Sequence, residues 1–397
     1  MTPSGLRILV VAPQPFMVER GTPMAVRFLV EALCDLGHQV DLLTYPMGND
    51  IAYPGLRLLR SPRPPLVREV GVGISLGKLA CDAWMMPKLF WLLFRQRYDV
   101  VHAVEEALFP AALWSALSGT PIVYDMDSCL SEGVTGKWRF LSGFRSLLRW
   151  VERWAIRRAS LVLPVCPDLA ELVMTDISAE AVVVLPDFSV ASEPEGVPSN
   201  DLRDLLRSGE ALALYVGNLG HYQGIELLLE AIALLGRDTP CKFVIVGGPE
   251  DARARLMVRA EQLCIADRVI LPGPRPVEQL GILMAQADIL LSPRLEGVNT
   301  PMKVYAYMQS GVALLATDIR SHSQVLDHTN AELVPVTAAG LAAGIRRLLV
   351  DPDRRRQIGE SARELALREY TPVAYRRRLA RAYAWLTARM SPKSAAA

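Results

Sequence analysis

Residues 289–303 read Ile-Leu-Leu-Ser-Pro-Arg-Leu-Glu-Gly-Val-Asn-Thr-Pro-Met-Lys and join an apolar run to a helical pattern. The run at 287–293 is typical of a buried strand, and a helix is expected to begin near Pro301. Free backbone N–H groups at a helix N-terminus attract phosphate, and Lys303 adds a positive charge. Glu296 is suited to accept hydrogen bonds from sugar hydroxyls. The stretch therefore predicts a site for a polar ligand; the alternative is a capped strand-to-helix loop with a solvated glutamate.

Short apolar runs alternate with helical patterns along most of the chain. The expected strands cover residues 8–11, 40–44, 100–103, 122–124, 161–165 and 182–185, and then 212–216, 243–246, 269–271, 289–292 and 313–316. Helical patterns lie between them, for example at 24–36, 107–117, 225–235, 252–263 and 277–287. Apolar strands separated by helices indicate parallel sheets buried on both faces. We therefore predict an α/β protein with two doubly wound domains that bind ligands at the carboxyl ends of their strands, in the cleft between them.

Length, charge and cysteine usage exclude several classes of protein. A chain of 397 residues is too long for one ordinary domain, and the proline- and serine-rich segment 186–200 is the expected linker. A net charge of +1 gives no general reason to expect nucleic-acid binding. The six cysteines show no CxxC spacing, which argues against a zinc site or a disulfide scaffold and fits a reducing compartment. The first apolar run is too short for a signal peptide, and no run of about 18 apolar residues predicts a membrane-spanning helix.

Polar side chains follow the expected strands of the first domain. The loop after the first strand ends with Arg20, Gly21 and Thr22, which are placed to meet a phosphate or an acceptor. This loop lacks the GxGxxG pattern, so a dinucleotide-dependent dehydrogenase is disfavoured. Further strand ends carry His102, Glu105, Glu106, Asp125 and Asp127. A carboxylate-rich rim suits hydroxyl binding or proton transfer, whereas a structural role is the simpler explanation for each residue taken alone. The spacing matches no metal-ligand motif, and no metal is predicted.

A glycine-rich loop follows the first strand of the second domain. Residues 217–224 read Gly-Asn-Leu-Gly-His-Tyr-Gln-Gly and lead into a helical pattern. Its three glycines allow the backbone to approach a ligand closely. His221 by itself is expected to be a polar loop residue without a further role. The next strand ends at Gly247, which offers a second close approach.

The order and spacing of these segments resemble family 4 of the retaining GT-B glycosyltransferases. The resemblance is carried by residues 217–229, by residues 288–311 and by the segment Tyr124-Asp-Met-Asp. Residues 11–15, Val-Ala-Pro-Gln-Pro, and residues 36–40, Leu-Gly-His-Gln-Val, add to it. It covers essentially the whole chain and implies two Rossmann-like domains that face each other across a cleft. The implied divisions are an acceptor-binding domain at 1–188, a nucleotide-sugar-binding domain at 189–371, and a C-terminal helix at 372–390 that packs back on the first domain.

The resemblance also implies an activity: transfer of a sugar from a nucleotide-sugar donor to a hydroxyl acceptor, with retention of configuration and without a metal or other cofactor. A lipid-linked or cell-surface glycan precursor is the expected kind of acceptor. The catalytic candidates are Glu296, His102 and Lys303. The donor-binding candidates are Gly217, Asn218, Gly220, Gly247, Arg294, Val298, Asn299, Thr300, Pro301, Met302 and Lys303, and the acceptor-binding candidates are Arg20, Gly21, Thr22, Glu105, Glu106, Asp125 and Asp127. Without a metal, the helix dipole and Lys303 must stabilise the charge on the leaving diphosphate.

Two positions depart from the family pattern. The family usually has a second glutamate in the helix after the first, where this chain has Val304 or, with a shift of two residues, Ala306. It also usually has an Arg and a Lys in the glycine-rich loop, where this chain reads His-Tyr-Gln at 221–223. Lys303 is the expected substitute for the lost charge. These losses keep two alternatives open: a non-catalytic nucleotide- or glycan-binding protein, and a GT-B nucleotide-sugar epimerase, which needs no acceptor.

Segment 137–158, from Lys137 to Arg158, combines basic and aromatic residues. Arg145, Arg149 and Arg153 recur every four residues and would form one stripe on a helix. A cationic helix with tryptophans indicates contact with an anionic membrane surface. Residues 74–94 form a second apolar stretch with two tryptophans. We therefore expect a cytoplasmic protein that is peripheral on the inner face of the cytoplasmic membrane; the alternative is a pair of ordinary surface helices.

Overall fold

The structure is a computed structural model that describes residues 5–16, 21–65, 67, 70, 75–129, 145–189 and 202–390. For residues 21, 22 and 145 only the backbone is described. Contacts divide the chain into two units. The first unit extends to Pro186 and is rejoined by the chain at Tyr375, and the second runs from Asp187 to Ala374. Most of the expected linker lies outside the described residues.

The first unit is built on a six-stranded parallel sheet of order β3-β2-β1-β4-β5-β6. Its strands are β1 (Arg7–Ala12), β2 (Gln39–Thr44), β3 (Leu56–Arg60), β4 (Val100–Val104), β5 (Ile122–Met126) and β6 (Leu161–Pro164). Its helices are α1 (Gly21–Asp35), α2 (Leu76–Arg95), α3 (Leu108–Ser118), α4 (Arg145–Ile156) and α5 (Pro167–Val173). In the central strand β1, the side chains from Ile8 to Ala12 are all buried, as the uninterrupted apolar run predicts.

Two strand predictions for this unit differ from the structure. Residues 182–185 do not form a regular strand. They run beside β6, where Val182 makes an isolated bridge with Val162 and the N–H groups of Val183 and Leu185 donate to the carbonyls of Val162 and Pro164. The edge strand β3 was not predicted from its Leu-Arg-Leu-Leu-Arg sequence. An edge strand is covered on fewer sides, so its charged side chains break the apolar pattern that marks a buried strand.

The second unit repeats the architecture with the sheet order β12-β11-β10-β7-β8-β9. Its strands are β7 (Ala211–Val216), β8 (Cys241–Val246), β9 (Val269–Gly273), β10 (Ile289–Ser292), β11 (Ala313–Thr317) and β12 (Glu332–Val334). Its helices are α6 (Ile225–Leu234), α7 (Glu250–Gln262), α8 (Val277–Ala285), α9 (Met302–Ser310), α10 (Arg320–Ser323), α11 (Ala338–Val350) and α12 (Pro352–Glu369). Helix α9 approaches α12 closely, because a Cβ on Gly359 would lie 2.1 Å from the carbonyl oxygen of Gly311.

The two sheets have the same topology. In each, the strand order reverses between the first and the fourth strand of the unit, which is its topological switch point. In the first unit this is between β1 and β4, and in the second between β7 and β10. Loops at the carboxyl ends of such a strand pair diverge and leave a crevice in which doubly wound proteins bind ligands. The predicted α/β class with two doubly wound units is confirmed. The topology also places both glycine-containing loops of the second unit, 217–224 and 293–301, at its switch point.

The last helix, α13 (Pro372–Met390), joins the first unit from Tyr375 onward. Tyr383 is buried, and its hydroxyl lies 2.7 Å from His102 Nδ1 on β4. Arg376 pairs with Asp35 at 2.9 Å, at the end of α1. Residues that follow the second unit in the sequence therefore pack against the sheet of the first unit. No described helix is both long enough and apolar enough to cross a membrane.

Candidate functional site

The two loops at the switch point of the second unit are in direct contact. The Leu295 N–H donates to the carbonyl of Tyr222 at 2.9 Å, which ties the loop after β10 to the loop after β7. Gly224 has a φ of 72°, and a Cβ there would lie 1.9 Å from the carbonyl oxygen of Pro293. A side chain at this position would push the two loops apart, so the glycine is required by their close approach.

The glycine-rich loop is also fixed to the strand beside it. The Gly217 N–H donates to the Val246 carbonyl at 3.0 Å, and a Cβ on Gly247 would lie 2.0 Å from the Gly217 carbonyl oxygen. Gly217 and Gly247 both have positive φ, at 153° and 123°. The glycines at 217 and 247 therefore allow the loop after β7 and the loop after β8 to approach each other closely. This contact shapes the rim of the crevice.

Asn218 organises the tip of the glycine-rich loop. Its side-chain oxygen accepts from the Gly220 N–H at 3.0 Å, and its side-chain nitrogen donates to the Tyr222 hydroxyl at 3.0 Å. Its carbonyl accepts from the buried Tyr215 hydroxyl at 2.6 Å. These bonds hold the loop in one conformation, although Asn218 itself is exposed.

Lys303 lies in the first turn of α9, where the predicted phosphate site would be. Its ammonium donates to the Gln223 side-chain oxygen at 2.8 Å and lies 4.0 Å from the centre of the Tyr215 ring. Burial, reinforced by the nearby Arg294 guanidinium, lowers the pKa of the Lys303 ammonium well below its usual range. The α9 N-terminus begins at Pro301, with no side chain bonded across its first turn. No carboxylate among the residues that the structure describes pairs with Lys303, and such a cation beside a helix N-terminus is suited to an anion.

Arg294, a predicted donor-binding residue, forms its hydrogen bonds within its own loop. Its guanidinium is buried and donates to the carbonyl oxygens of Glu296 at 2.7 Å and Asn299 at 3.1 Å. It also lies over the Tyr222 ring at 5.5 Å. Because these bonds run back into its own loop, Arg294 acts as an internal brace for residues 295–299. Its charge nevertheless contributes to the positive potential of the crevice.

The remaining residues of this loop separate into exposed and buried groups. Glu296 and Val298 are exposed, and the Val298 carbonyl accepts from Gln324 at 2.7 Å. Thr300 is buried, and its hydroxyl has no hydrogen-bond partner among the described residues. Glu296 is thus held at its backbone by Arg294, while its carboxylate is free to meet a ligand from solvent.

A buried histidine under this loop was missed in the sequence. His322 is fully buried, with Nε2 at 2.9 Å from the Ser292 hydroxyl and Nδ1 at 2.8 Å from the Thr317 carbonyl. Burial lowers the pKa of His322 to about 4, so the ring is neutral at physiological pH. It joins the ends of β10 and β11 beneath the loop. No sequence pattern could have revealed this residue, since an isolated histidine shows neither its partners nor its burial.

In the first unit, the structure brings the predicted carboxylates together at the ends of β4 and β5. Glu106 pairs with Lys78 of α2 at 2.6 Å, and Glu105 accepts from the Ser128 hydroxyl at 2.9 Å. Glu105 has a φ of 52°, in the left-handed region that a glutamate seldom adopts. Burial, reinforced by the charge of Glu106, raises the pKa of the Glu105 carboxyl to about 8. The cluster thus combines a neutral carboxyl group with an ion pair.

His102 has no access to solvent in this structure. It is fully buried in the middle of β4, with Nδ1 bonded to Tyr383 and Nε2 lying 3.7 Å from Asp125 Oδ2. This environment favours a structural role, in which the ring links α13 to the sheet, over the catalytic role predicted for it. Asp125 is half-buried near the end of β5.

Three acceptor candidates cannot be placed in full. Arg20 lies outside the described residues, and Gly21 and Thr22 are described only as backbone in the first turn of α1. Asp127 is partly buried just after β5, two residues beyond Asp125. In the described ranges, no three His, Cys, Asp or Glu side chains are grouped so that they could hold a metal ion.

Glu105→Gln is expected to make the protein more stable at pH 8 than the parent, by about 1–2 kcal/mol. An unfolded glutamate has a pKa near about 4.3, whereas that of folded Glu105 is about 8. The folded state therefore binds the extra proton, and its stability falls as pH rises between these values. Glutamine cannot ionise and avoids this loss. Urea unfolding at pH 6 and pH 8 measures the difference.

The matched control is Glu106→Gln. It leaves Lys78 without its carboxylate, so the expected change in unfolding free energy has the opposite sign. If Glu105→Gln destabilised the chain equally at both pH values, the neutral carboxyl group would be ruled out.

Comparison with known proteins agrees with this geometry. The sequence model of the family described as glycosyl transferases group 1 matches residues 200–365, and that of the glycosyl transferase 4-like domain matches residues 20–187. The two models together cover most of the chain. The chain belongs to glycosyltransferase family 4. It is a glycosyltransferase with the GT-B architecture, as the resemblance implied.

Curated relatives of this glycosyltransferase are named for the transfer of different sugars. Alpha-D-kanosaminyltransferase from Streptomyces kanamyceticus is 28% identical over 76% of this chain and 82% of its own length. MMP alpha-(1->4)-mannosyltransferase from Mycolicibacterium hassiacum is 28% identical over 88% of this chain and 91% of its own length. Phosphatidyl-myo-inositol mannosyltransferase from Mycolicibacterium smegmatis is 26% identical over 88% of this chain and 86% of its own length.

Solved structures share the fold. Sucrose-phosphate synthase from Thermosynechococcus elongatus superposes with a TM-score of 0.75 at 21% identity, over 97% of this chain and all of that one. Anabaena HepE in complex with UDP-glucose superposes with a TM-score of 0.73 at 18% identity, over 96% of this chain and 99% of that one.

Proposed function

We propose that this glycosyltransferase moves a sugar from a nucleotide-sugar donor, bound by the second unit, to a hydroxyl acceptor, bound by the first. The observation that supports this most directly is the Lys303 ammonium, which lies at the N-terminus of α9 and has no carboxylate partner among the contacts described for it. A diphosphate there would receive the lysine charge, the helix dipole and free backbone N–H groups together. HepE, which shares the fold, is described in complex with UDP-glucose.

The same arrangement supports a reaction that needs no metal and retains anomeric configuration. Charge that develops on a leaving diphosphate can be stabilised by Lys303 and the α9 N-terminus, so no cofactor is required by this proposal. Glu296 is the proposed contact to the donor sugar, because its carboxylate is exposed next to that N-terminus. Retention is carried over from the resemblance to the family.

The proposed acceptor site is the carboxylate rim of the first unit. Glu105, Asp125 and Asp127 offer hydrogen-bond acceptors to sugar or cyclitol hydroxyls, and a neutral Glu105 can also donate. We propose a glycan or lipid-linked acceptor and a cytoplasmic protein that meets an anionic membrane surface through segment 137–158. One relative is a phosphatidyl-myo-inositol mannosyltransferase, which is named for a lipid acceptor.

One observation favours the second candidate, a non-catalytic nucleotide-binding protein. Val304 is fully buried in the core, and Ala306 is partly buried on the same helix. A carboxylate at 304 would be enclosed by apolar side chains, so Ala306 is the better match to the second glutamate of the family. Alanine cannot accept the hydrogen bonds that such a glutamate would accept from a ligand's hydroxyl groups, which weakens donor binding.

A thermal-shift panel of UDP, GDP, ADP, CMP and TDP, followed by transfer assays, tests this proposal. A nucleotide at about 100 times its Kd stabilises the folded protein by about 2.7 kcal/mol. We expect one nucleotide to shift the melting temperature, and its sugars to be transferred in the presence of EDTA. A shift without transfer supports the non-catalytic candidate, and conversion without any acceptor supports an epimerase. No shift with any nucleotide contradicts the donor site.

A further inference from the structure

Helix α2 has an apolar outer face along its whole length. The helix buries Cys81, Met85 and Leu89 against the sheet, as a surface helix should. Its exposed residues before the final Arg95 are all apolar as well: Leu76, Leu79, Ala83, Trp84, Pro87, Trp91 and Phe94. Leu76 and Phe94, near the two ends, are 80% and 75% exposed. A surface helix normally presents a polar face to water, so this face is suited to a partner.

The charged side chains of α2 that precede Arg95 are all bound on its inner flanks. Lys78 pairs with Glu106, Asp82 accepts from the buried Tyr45 hydroxyl, and Lys88 donates to the carbonyl of Arg60. No charge therefore interrupts the outer face of this described helix between Leu76 and Phe94.

Helix α3 extends the same apolar surface. The Phe94 ring meets the Trp114 ring of α3 edge-on, with 4.9 Å between their centres. Leu113 and Leu117 of α3 are exposed, and α3 contains no charged residue. Both helices pack on the same face of the first sheet. Their outer surfaces consequently form one continuous patch, which we call the α2–α3 face.

Basic residues flank the α2–α3 face. Helix α4, which packs against α3, exposes Arg149, Trp150 and Arg153. Arg153 and Arg157 share one carboxylate, Asp176, at 2.8 and 2.9 Å, so the pair retains a net positive charge. At the other flank, Arg95 lies next to Phe94 and is exposed.

We propose that the α2–α3 face enters the interfacial region of an anionic lipid bilayer, with α4 supplying the electrostatic attraction. Apolar and aromatic residues beside arginines match the boundary between acyl chains and anionic headgroups. A second copy of the chain is a poorer occupant, because it would bring a like-charged basic flank with it. The apolar element is thus α2 with α3, whereas the sequence indicated chiefly the basic segment.

This placement has a consequence for the acceptor, which rests on the proposed function. Lys78 of α2 pairs with Glu106 of the carboxylate rim, only two residues from the exposed Leu76. A bilayer that covers the α2–α3 face would therefore lie beside the N-terminal end of α2 and close to the rim. The substrate class that suits this arrangement is a hydroxyl group carried on a membrane lipid.

Vesicle binding by the full chain tests the proposal without any donor or acceptor. The chain is sedimented with phosphatidylcholine vesicles that contain or lack phosphatidylglycerol, at low and high salt. We expect binding only with phosphatidylglycerol, weakened by salt, and a blue shift of tryptophan emission. The double variant Trp91→Ser/Phe94→Ser is expected to bind about tenfold more weakly. The control Leu234→Ser/Val350→Ser removes two exposed apolar side chains of the second unit and is expected to bind like the parent.

Three outcomes would overturn the proposal: no binding of the parent to either vesicle, equal loss of binding in both double variants, or a dimer in solution that Trp91→Ser/Phe94→Ser dissociates. The last would assign the face to a second copy. Nucleotide thermal shifts of the same variants, measured without vesicles, show that they are folded. Because those shifts report the donor site separately, failure of membrane docking is distinguishable from failure of the proposed transfer reaction.

Discussion

Lys303→Ala is expected to lower kcat/KM for sugar transfer by roughly 10²- to 10³-fold, the usual cost of removing one preorganised group that stabilises transition-state charge. The ammonium is held between the Tyr215 ring and the Gln223 side chain, at the first turn of α9. In the proposed reaction its charge is needed most when the diphosphate departs. Steady-state kinetics with the nucleotide sugar found in the panel measures the effect.

The same substitution is expected to leave the free protein as stable as the parent, or more stable. The folded state penalises the charged form of Lys303, through burial and repulsion from Arg294, and alanine removes this penalty. For the same reason, nucleotide binding to the parent should weaken as pH rises through the lowered pKa of Lys303, and Lys303→Ala should lose this dependence.

A matched control is Lys242→Ala. Lys242 lies on β8 of the same unit, and its ammonium donates to the Asp267 carbonyl. It is expected to keep parental kinetics. Parental activity in Lys303→Ala, or a loss that merely follows a loss of folded protein, would remove Lys303 from the donor site.

Glu296→Ala is expected to reduce turnover by roughly 10²-fold or more while nucleotide binding persists. A hydrogen bond to a charged group contributes about 1.5–3 kcal/mol, and a contact made to the sugar as its bond breaks acts on kcat. Arg294 fixes the backbone of Glu296, whereas the carboxylate is exposed, so the substitution should not disturb the fold. Kinetics and thermal shift with the free nucleotide separate the two effects.

The control for this prediction is Glu364→Ala, an exposed glutamate in α12 of the same unit. It should change neither measurement. If Glu296→Ala weakened nucleotide binding and turnover to the same extent, Glu296 would be assigned to nucleotide binding rather than to the sugar.

The sequence predicted those strands and helices whose burial requires a regular pattern of apolar residues. The segment 289–303 was correctly divided into a strand, a loop and a helix, since β10 is buried on both faces and Pro301 precedes α9. The edge strand β3 was missed because Arg57, which is exposed, and Arg60 interrupt the apolar pattern that marks a buried strand. Residues 182–185 were wrongly assigned as a regular strand, because an apolar run indicates burial but does not show that the pairing with β6 is limited to an isolated bridge and two hydrogen bonds.

The candidate site was predictable in its position but less so in its internal contacts. The family resemblance and strand-end rule located Lys303 and Glu296. They did not show that Arg294 braces its own loop, or that His322 supports the loop from below. These roles depend on partners distant in sequence or on backbone carbonyls, which leave no residue pattern. His102 is similar, because its partner Tyr383 lies 281 residues away.

That last pairing bears on how the protein is made. The first sheet is translated early, but Tyr383 reaches it only after the whole second unit has been synthesised. On the ribosome, the second unit can assemble from contiguous sequence while the first awaits a helix that is encoded after the second unit. Until α13 leaves the exit tunnel, the nascent chain exposes apolar surface and the unpaired His102, a state that chaperones recognise.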